Sequence, residues 1–230
     1  MCGRYASARS VQDLAEAFGI GADDVDSVAD PDWNVAPTKP VTVVVERGAR
    51  RTLATMRWGL VPSWATDPTI GGRLINARLE TVQEKPAFRD ALATRRCLLP
   101  ADGWYEWTSQ PGGARQPYFL TPPDGSVLAL AGLWERWYDA EGRTLLTTTI
   151  VTGPASDELR VLHDRAPVVI PREQWAEWLD PRTAAPATLL RPTPDGVVRA
   201  HPVSPDVGDI RANGPALTEP VELPEQTTLF

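Results

Sequence analysis

Apolar positions follow two rhythms along the chain. In residues 10–18 they recur at helical spacing. Val11, Leu14 and Phe18 share one face, Ser10 can cap the first turn with Asp13 at the capping-box position, and Gly19 can end the helix. Residues 41–47 and 52–58 are β-rich runs separated by Gly48, Ala49 and two arginines, the pattern of a hairpin. Residues 97–107 read as strand, turn, strand. Further strands are predicted at 117–120, 127–134, 145–152, 168–170 and near 197–203. Three more short helices are predicted. The first spans 85–94, with Phe88 and Leu92 on one side and Pro86 in its first turn. The others span 156–162 and 171–179, the latter with Trp175 and Leu179 together. Residues 21–32 and the stretch that begins WGLVPSWATDPT at Trp58 read as loops. There is no internal repeat. Many short strands with few short helices predict one α+β domain over residues 1–213, with a mainly antiparallel, barrel-like β core and short flanking helices. Residues 214–230 lack periodicity and carry prolines and glutamates, so they are expected to form a loose tail.

Composition narrows this picture. The 230 residues are 42% hydrophobic and 23% charged, as in an ordinary globular protein. No apolar run approaches the ~20 residues of a membrane span, so no membrane partner is expected. The opening residues show no apolar segment behind a basic start, and two cysteines cannot build a disulfide framework. A reducing, cytoplasmic setting is therefore expected. The 23 prolines are about twice the usual ~5% share and favour loops and short strands. Nine tryptophans are hard to bury completely, which points to a binding surface. The net charge of -7 argues against bulk affinity for nucleic acid, although a local basic channel can coexist with an acidic exterior.

Cys2 carries the most distinctive chemistry. Removal of Met1 would leave a cysteine with a free α-amine, of pKa near ~8, next to its thiol. Such a 1,2-aminothiol condenses with an aldehyde and closes a thiazolidine ring. The same pair serves N-terminal nucleophile hydrolases, where the thiol attacks an amide and the amine is the base. Asn76 and Arg78 share a face if their segment is extended; the amide can orient an amine or thiol, and the guanidinium can clamp a phosphate. Glu106, set between Tyr105 and Trp107, can act as a proton shuttle if burial raises its pKa. His163, in LHDRAP, suits proton transfer, whereas His201 reads as structural and Cys97 as a small buried hydrophobe. Each of these residues also has a purely structural reading: a turn, an edge-strand carboxylate, a helix cap.

Two histidines and two cysteines at wide spacing give no metal pattern, and no Gly-rich phosphate loop or nucleophile elbow occurs. No metal and no cofactor are expected. Arg4, Arg57, Arg73, Arg78 and Arg165, with Lys85, Arg89, Arg95 and Arg96 between them, share segments with Trp58, Trp64, Trp104 and Trp107. Cations interleaved with aromatics are what single-stranded nucleic acid needs, and a solvated mixed surface is the plainer alternative.

The motifs occur in a familiar order: MCGR, WNVAPT at Trp33, WGLVPSWA at Trp58, INARLET at Ile75, KPAFR at Lys85, RRCLLPADGWYEW at Arg95, AGLWE at Ala131, IVT at Ile150, HDRAPVVI at His163, then HPVS and VGD. The chain thereby resembles the SRAP family, the SOS-response-associated peptidases. The resemblance implies a β-barrel-like core with a positively charged channel for single-stranded DNA. It also implies capture of abasic sites as a thiazolidine DNA–protein crosslink through Cys2, after autocatalytic or aminopeptidase removal of Met1. By the same resemblance Asn76, Glu106 and His163 are active-site residues and Arg78 and Arg165 contact phosphates. Arg4 stands with these arginines, and Thr152 lines the site. Trp58 and Trp64 are the expected stacking platforms. The implied partner is single-stranded DNA containing abasic sites, bound by a monomer in the cytoplasm at the nucleoid. Weak lyase activity is a further expectation. The alternatives are a glutamine amidohydrolase of the N-terminal nucleophile class and a non-catalytic single-strand binder.

Overall fold

The computed structural model describes residues 2–48, 50–109 and 115–223. Its centre is a closed ring of five strands: β3 (Pro40–Arg47), β4 (Arg50–Trp58), β6 (Arg96–Ala101), β9 (Leu128–Tyr138) and β10 (Thr144–Pro154). They run in the order β10-β4-β3-β6-β9, and β9 pairs back onto β10 to close the barrel. The neighbours are antiparallel except β10 and β4, which are parallel. Closure removes free sheet edges. It also explains the valine-rich β3, whose residues 41–45 are all buried because both faces are covered. Val41, Val43 and Val45 join one cluster with Met56, Leu99, Leu130 and Ile150. Val44 faces a second cluster, with Leu14 and Phe18 of helix α1 (Val11–Phe18).

Cys97 Sγ and Thr148 Oγ1 meet at 3.3 Å from strands that are not neighbours in the ring, so they mark its interior. Space there is tight. A Cβ on Gly132 would collide with Leu99 Cδ1 and Cys97 Sγ. Burial pushes the Cys97 thiol up to about 12, as suits an inert core residue.

A second sheet has the order β12-β8-β7-β1-β2: β12 (Arg199–Pro202), β8 (Arg115–Thr121), β7 (Gly103–Ser109), β1 (Tyr5–Ser7) and β2 (Asp32–Val35). It lays Tyr5, Val35, Trp104 and Leu120 against the barrel's interior cluster. Two short strands extend β10: β5 (Asn76–Arg78), parallel to it, and β11 (Arg165–Pro167), antiparallel.

The α+β, barrel-centred architecture agrees with the sequence pattern. The cap on α1 is as predicted: Ser10 Oγ accepts from the Asp13 N–H, and Gly19 closes the helix at φ 65°. The hairpin of β3 and β4 is also present, although Ala49 in its turn lies outside the described residues. Other elements differ. Helix α2 (Arg89–Thr94) begins four residues later than expected, because Lys85 to Phe88 form turns. Helix α3 (Asp157–Arg160) is a single turn, and α4 (Trp175–Leu179) follows a 3-10 turn. The strand expected at 168–170 lies at Arg165–Pro167; Val169 makes only an isolated bridge to Leu130. Strands β6 and β7 leave Asp102 into different sheets rather than pairing.

The expected loose tail needs correction over its first part. Leu217 is buried against Tyr105 and Phe119, the Val221 N–H donates to Pro202 O, and His201 Nε2 meets Thr218 O at 2.8 Å. Residues 224–230 lie outside the described residues. Among the described residues no helix is long and apolar enough to cross a membrane.

Two members of the expected basic cluster are structural instead. Arg95 pairs with Glu135 at 2.8 Å. Arg96 is buried and donates to the carbonyls of Leu92, Ala93, Trp178 and Asp180, tying α2 and α4 to the barrel. Replacing it strands these acceptors in the interior. Arg96→Ala is expected to lower unfolding free energy by about 3 kcal/mol, read from urea denaturation. A loss below about 1 kcal/mol would show that the helix ends find other partners.

Candidate active site at the junction of the two sheets

The site forms where the second sheet meets the end of the barrel. Strand β1 lies between β2 and β7, with Tyr5 opposite both Val35 and Trp104. This double pairing carries Cys2, three residues before Tyr5, into full burial among Tyr5, Trp58 and Trp104. From the barrel side, Asn76 Nδ2 donates to Cys2 O at 2.8 Å and bridges the two sheets. Asn76 Oδ1 is buried with no hydrogen-bond partner among the described residues.

Glu106 is buried on β7, two residues after Trp104 and so on the same face. Burial pushes its carboxyl up to about 7, and the negative charge of Asp164 adds to the rise. The Cys2 thiol is raised far above its ordinary value, first by burial and then by the charge of Glu106. An uncharged thiol thus stands near a carboxyl poised between its two protonation states at neutral pH.

His163 follows α3 and is half-buried. Its Nδ1 accepts the Arg165 N–H at 2.9 Å, and Asp164 Oδ1 lies 2.9 Å from the same nitrogen. The two neighbours make opposite demands: the N–H needs a lone pair, the carboxylate a proton. Burial is the leading cause that lowers the His163 pKa, against the pull of Asp164, which favours the lone pair. The lowered pKa favours the neutral ring, and a neutral ring that accepts the Arg165 N–H at Nδ1 carries its proton on Nε2.

Strand β10 gathers the other residues through its register. Asn76 lies opposite Ile150, Arg78 opposite Thr152 and Arg165 opposite Pro154. Thr152 is buried, and its carbonyl accepts from Arg165 NH2 at 2.7 Å. Arg78 is exposed at the end of β5. Arg165 is engaged by Glu80, which holds both ends of its guanidinium at 2.8 and 3.0 Å. Glu80 escaped the sequence reading, although Asn76, Arg78 and Glu80 alternate at i, i+2, i+4, the pattern that puts them on one side of an extended chain.

Two expectations about stacking residues need correction. Trp58 is fully buried, donates its indole N–H to Ile75 O at 2.9 Å and meets Tyr5 edge-on. Trp104 is fully buried as well. Neither can stack on a base from there; both support the floor beneath Cys2. Trp64 is 59% exposed and available to a ligand. Arg4 is half-buried: NH1 donates to Asn34 Oδ1 and Val207 O, both at 2.7 Å, and the guanidinium lies over Trp107. It borders a cleft of about 450 Å³ with Trp107 and Arg115. A larger cavity of about 660 Å³, beside Trp175 and Pro122, contains none of the residues discussed for the site. Among the described residues, no three His, Cys, Asp or Glu side chains cluster as metal ligands would.

Residues 1–210 match the model of the SOS response associated peptidase (SRAP) family. The chain is 36% identical over 222 residues to abasic site processing protein YoqW of Bacillus subtilis, covering 95% of this chain and 99% of that one. It is 32% identical over 235 residues to abasic site processing protein YedK of Escherichia coli, covering 96% and 100%. A solved protein from Bacteroides thetaiotaomicron shares the fold, with a TM-score of 0.83 at 24% identity over 96% of this chain and all of that one.

The Glu106 carboxyl makes stability depend on pH. Its folded pKa, about 7, lies above the ordinary 4.5, so the folded state holds the proton more tightly than the unfolded state. The contribution to stability is therefore greatest below about 4.5 and falls by ~3 kcal/mol as pH rises through about 7. Glu106→Gln cannot ionise and removes this slope. Urea unfolding at pH 5 and pH 8 should show the variant gaining on the wild type at the higher pH. Identical pH profiles would mean that the carboxyl is not shifted by burial.

Proposed function

We propose, from the premise that this chain belongs to the SOS response associated peptidase family, that it recognises abasic sites in single-stranded DNA and captures them covalently through Cys2 once Met1 is removed. The names of its relatives, YoqW, YedK and the chicken protein HMCES, all abasic site processing proteins, support the substrate class. The observation that carries the reading is the setting of Cys2: fully buried, held by Asn76 through its carbonyl, with its thiol in the field of the Glu106 carboxyl.

An abasic deoxyribose is mostly a closed hemiacetal, and only its open aldehyde reacts. His163, with its proton on Nε2, passes that proton to the ring oxygen as the ring opens and takes up the anomeric hydroxyl proton in its place. The α-amine of Cys2 then adds to the aldehyde carbon. Glu106 relays protons as the carbinolamine loses water to give an iminium. Cys2 Sγ adds to the iminium carbon, and the S–H proton passes to the Glu106 carboxylate. One water leaves, no electrons are exchanged, and the product is a thiazolidine. A carboxyl of pKa about 7 can both give and take protons in this sequence. Asn76 fixes the nucleophile, so the reacting atoms meet without a search. Arg78 and Arg165 hold the flanking phosphates, and Trp64 offers a stacking face. The adduct shields the lesion from strand-cleaving enzymes. Elimination from the iminium before ring closure would instead cut the strand, which accounts for weak lyase activity.

The test uses a single-stranded oligonucleotide with one abasic site, followed by a denaturing gel. Wild type should give a heat-stable shifted band and an intact mass lacking Met1. Cys2→Ser, which keeps an amine but loses the ring-closing sulfur, should give none. An equal band from Cys2→Ser would overturn thiazolidine capture. Glutamine hydrolysis without any band would assign the site to an amidohydrolase instead.

A further inference from the structure

The residue bound to Arg165 has the shape of the ligand that Arg165 is expected to bind. Arg165 NH1 and NH2 donate to Glu80 Oε1 and Oε2 at 2.8 and 3.0 Å, two parallel bonds from one planar fork. A phosphate would take the same bidentate geometry. The two partners differ in freedom. The Arg165 side chain is only 13% exposed, sits on β11 and is anchored by the Thr152 carbonyl at 2.7 Å. The Glu80 side chain is 42% exposed and lies just beyond the end of β5. Its carboxyl is held below the usual range, chiefly by the bond to Arg165, with the nearby charge of Arg78 adding to the effect. A carboxylate thus fills the Arg165 fork, feels the charge of Arg78, and is exposed enough to turn out into water.

We propose that Glu80 is a specificity-determining residue: its carboxylate fills the Arg165 fork in the free protein, and a DNA phosphate must displace it to bind. The inference rests on the reading that this site takes single-stranded DNA. Exchanging one bidentate anion for another yields little net attraction. An intact strand therefore binds weakly and leaves. A strand with an abasic site is retained because the reaction at Cys2 follows. Glu80 lowers affinity for undamaged DNA and leaves selection to the chemistry.

The experiment measures equilibrium binding of an intact single-stranded oligonucleotide by fluorescence anisotropy at low salt, so no crosslink enters. Glu80→Gln keeps the shape and removes the charge. It should bind the intact strand about 3- to 10-fold more tightly than wild type. Glu80→Ala should shift in the same direction and serves if the glutamine variant folds poorly. Arg165→Gln should bind more weakly, and Glu80→Gln should give no gain in that background. Weaker binding by both Glu80 variants would overturn the proposal and make Glu80 a brace for Arg165. Unchanged binding by both, with Arg165→Gln still weakened, would overturn it too. If Arg165→Gln also binds like wild type, the nucleic-acid reading of the site fails along with it.

Discussion

Burial of the chain's start is the constraint on which the site depends. Chain ends usually fray, because few contacts repay their ordering. Here the three-residue strand β1 has a neighbour on each edge, with Tyr5 paired to both, so Cys2 is delivered to a fixed point rather than to a mobile tail. The Asn76 bond to its carbonyl adds a hydrogen bond from the barrel side. This fixation has a cost. Tyr5 Oη and Trp104 Nε1, which line the same cluster, are buried without hydrogen-bond partners among the described residues. An unmet buried polar atom costs on the order of 1–3 kcal/mol. The packing of the barrel must offset this, and a fold rarely tolerates such sites except where chemistry is placed.

The second half of the site depends on a single strand. Its first part closes the barrel against β9; its last part receives β5 and β11. A shift of one residue in either short pairing would turn Asn76 and Arg78, or Arg165, to the opposite face. The mixed directions around β10 therefore decide which side chains reach the junction. The parallel alignment of β5 brings an amide and a guanidinium from one segment toward the junction, and the antiparallel β11 returns Arg165 beside Thr152.

Much of this organisation was legible in the sequence where the signal is local. The α1 cap depends on Ser10, Asp13 and Gly19 alone, and the β3–β4 hairpin on two runs and a short turn. Signals that depend on distant partners were not. Nothing in WGLVPSWA distinguishes Trp58, which ends a barrel strand and is sealed by Tyr5, from Trp64, which lies in the loop beyond it. Arg95 and Arg96 look like any basic pair until Glu135 and the ends of two helices come into place. Leu217 reads as part of a polar tail because the surface that covers it is built from β7, β8 and the residues around Val203. The residues proposed for catalysis were accessible for a different reason: a cysteine behind Met1, a glutamate among aromatics and one of only two histidines are chemically conspicuous wherever they fold.

The charge balance of the site also differs from that of a simple basic groove. Of the nine cations expected to cluster, Arg95 and Arg96 brace the fold instead, and carboxyl groups accompany those at the site: Glu80 on Arg165, Asp164 beside His163, and Glu106 near Cys2. Together with a net charge of -7, this makes strong affinity for any passing strand an unsuitable basis for selectivity. The buried groups point to a different basis. A thiol kept neutral by burial, a carboxyl near its midpoint and an imidazole whose pKa burial lowers are groups suited to proton transfer, and on the proposed reading they act when a carbonyl arrives. On that reading the discrimination lies in bond formation at Cys2, and the phosphate contacts need only present the sugar long enough for that bond to form.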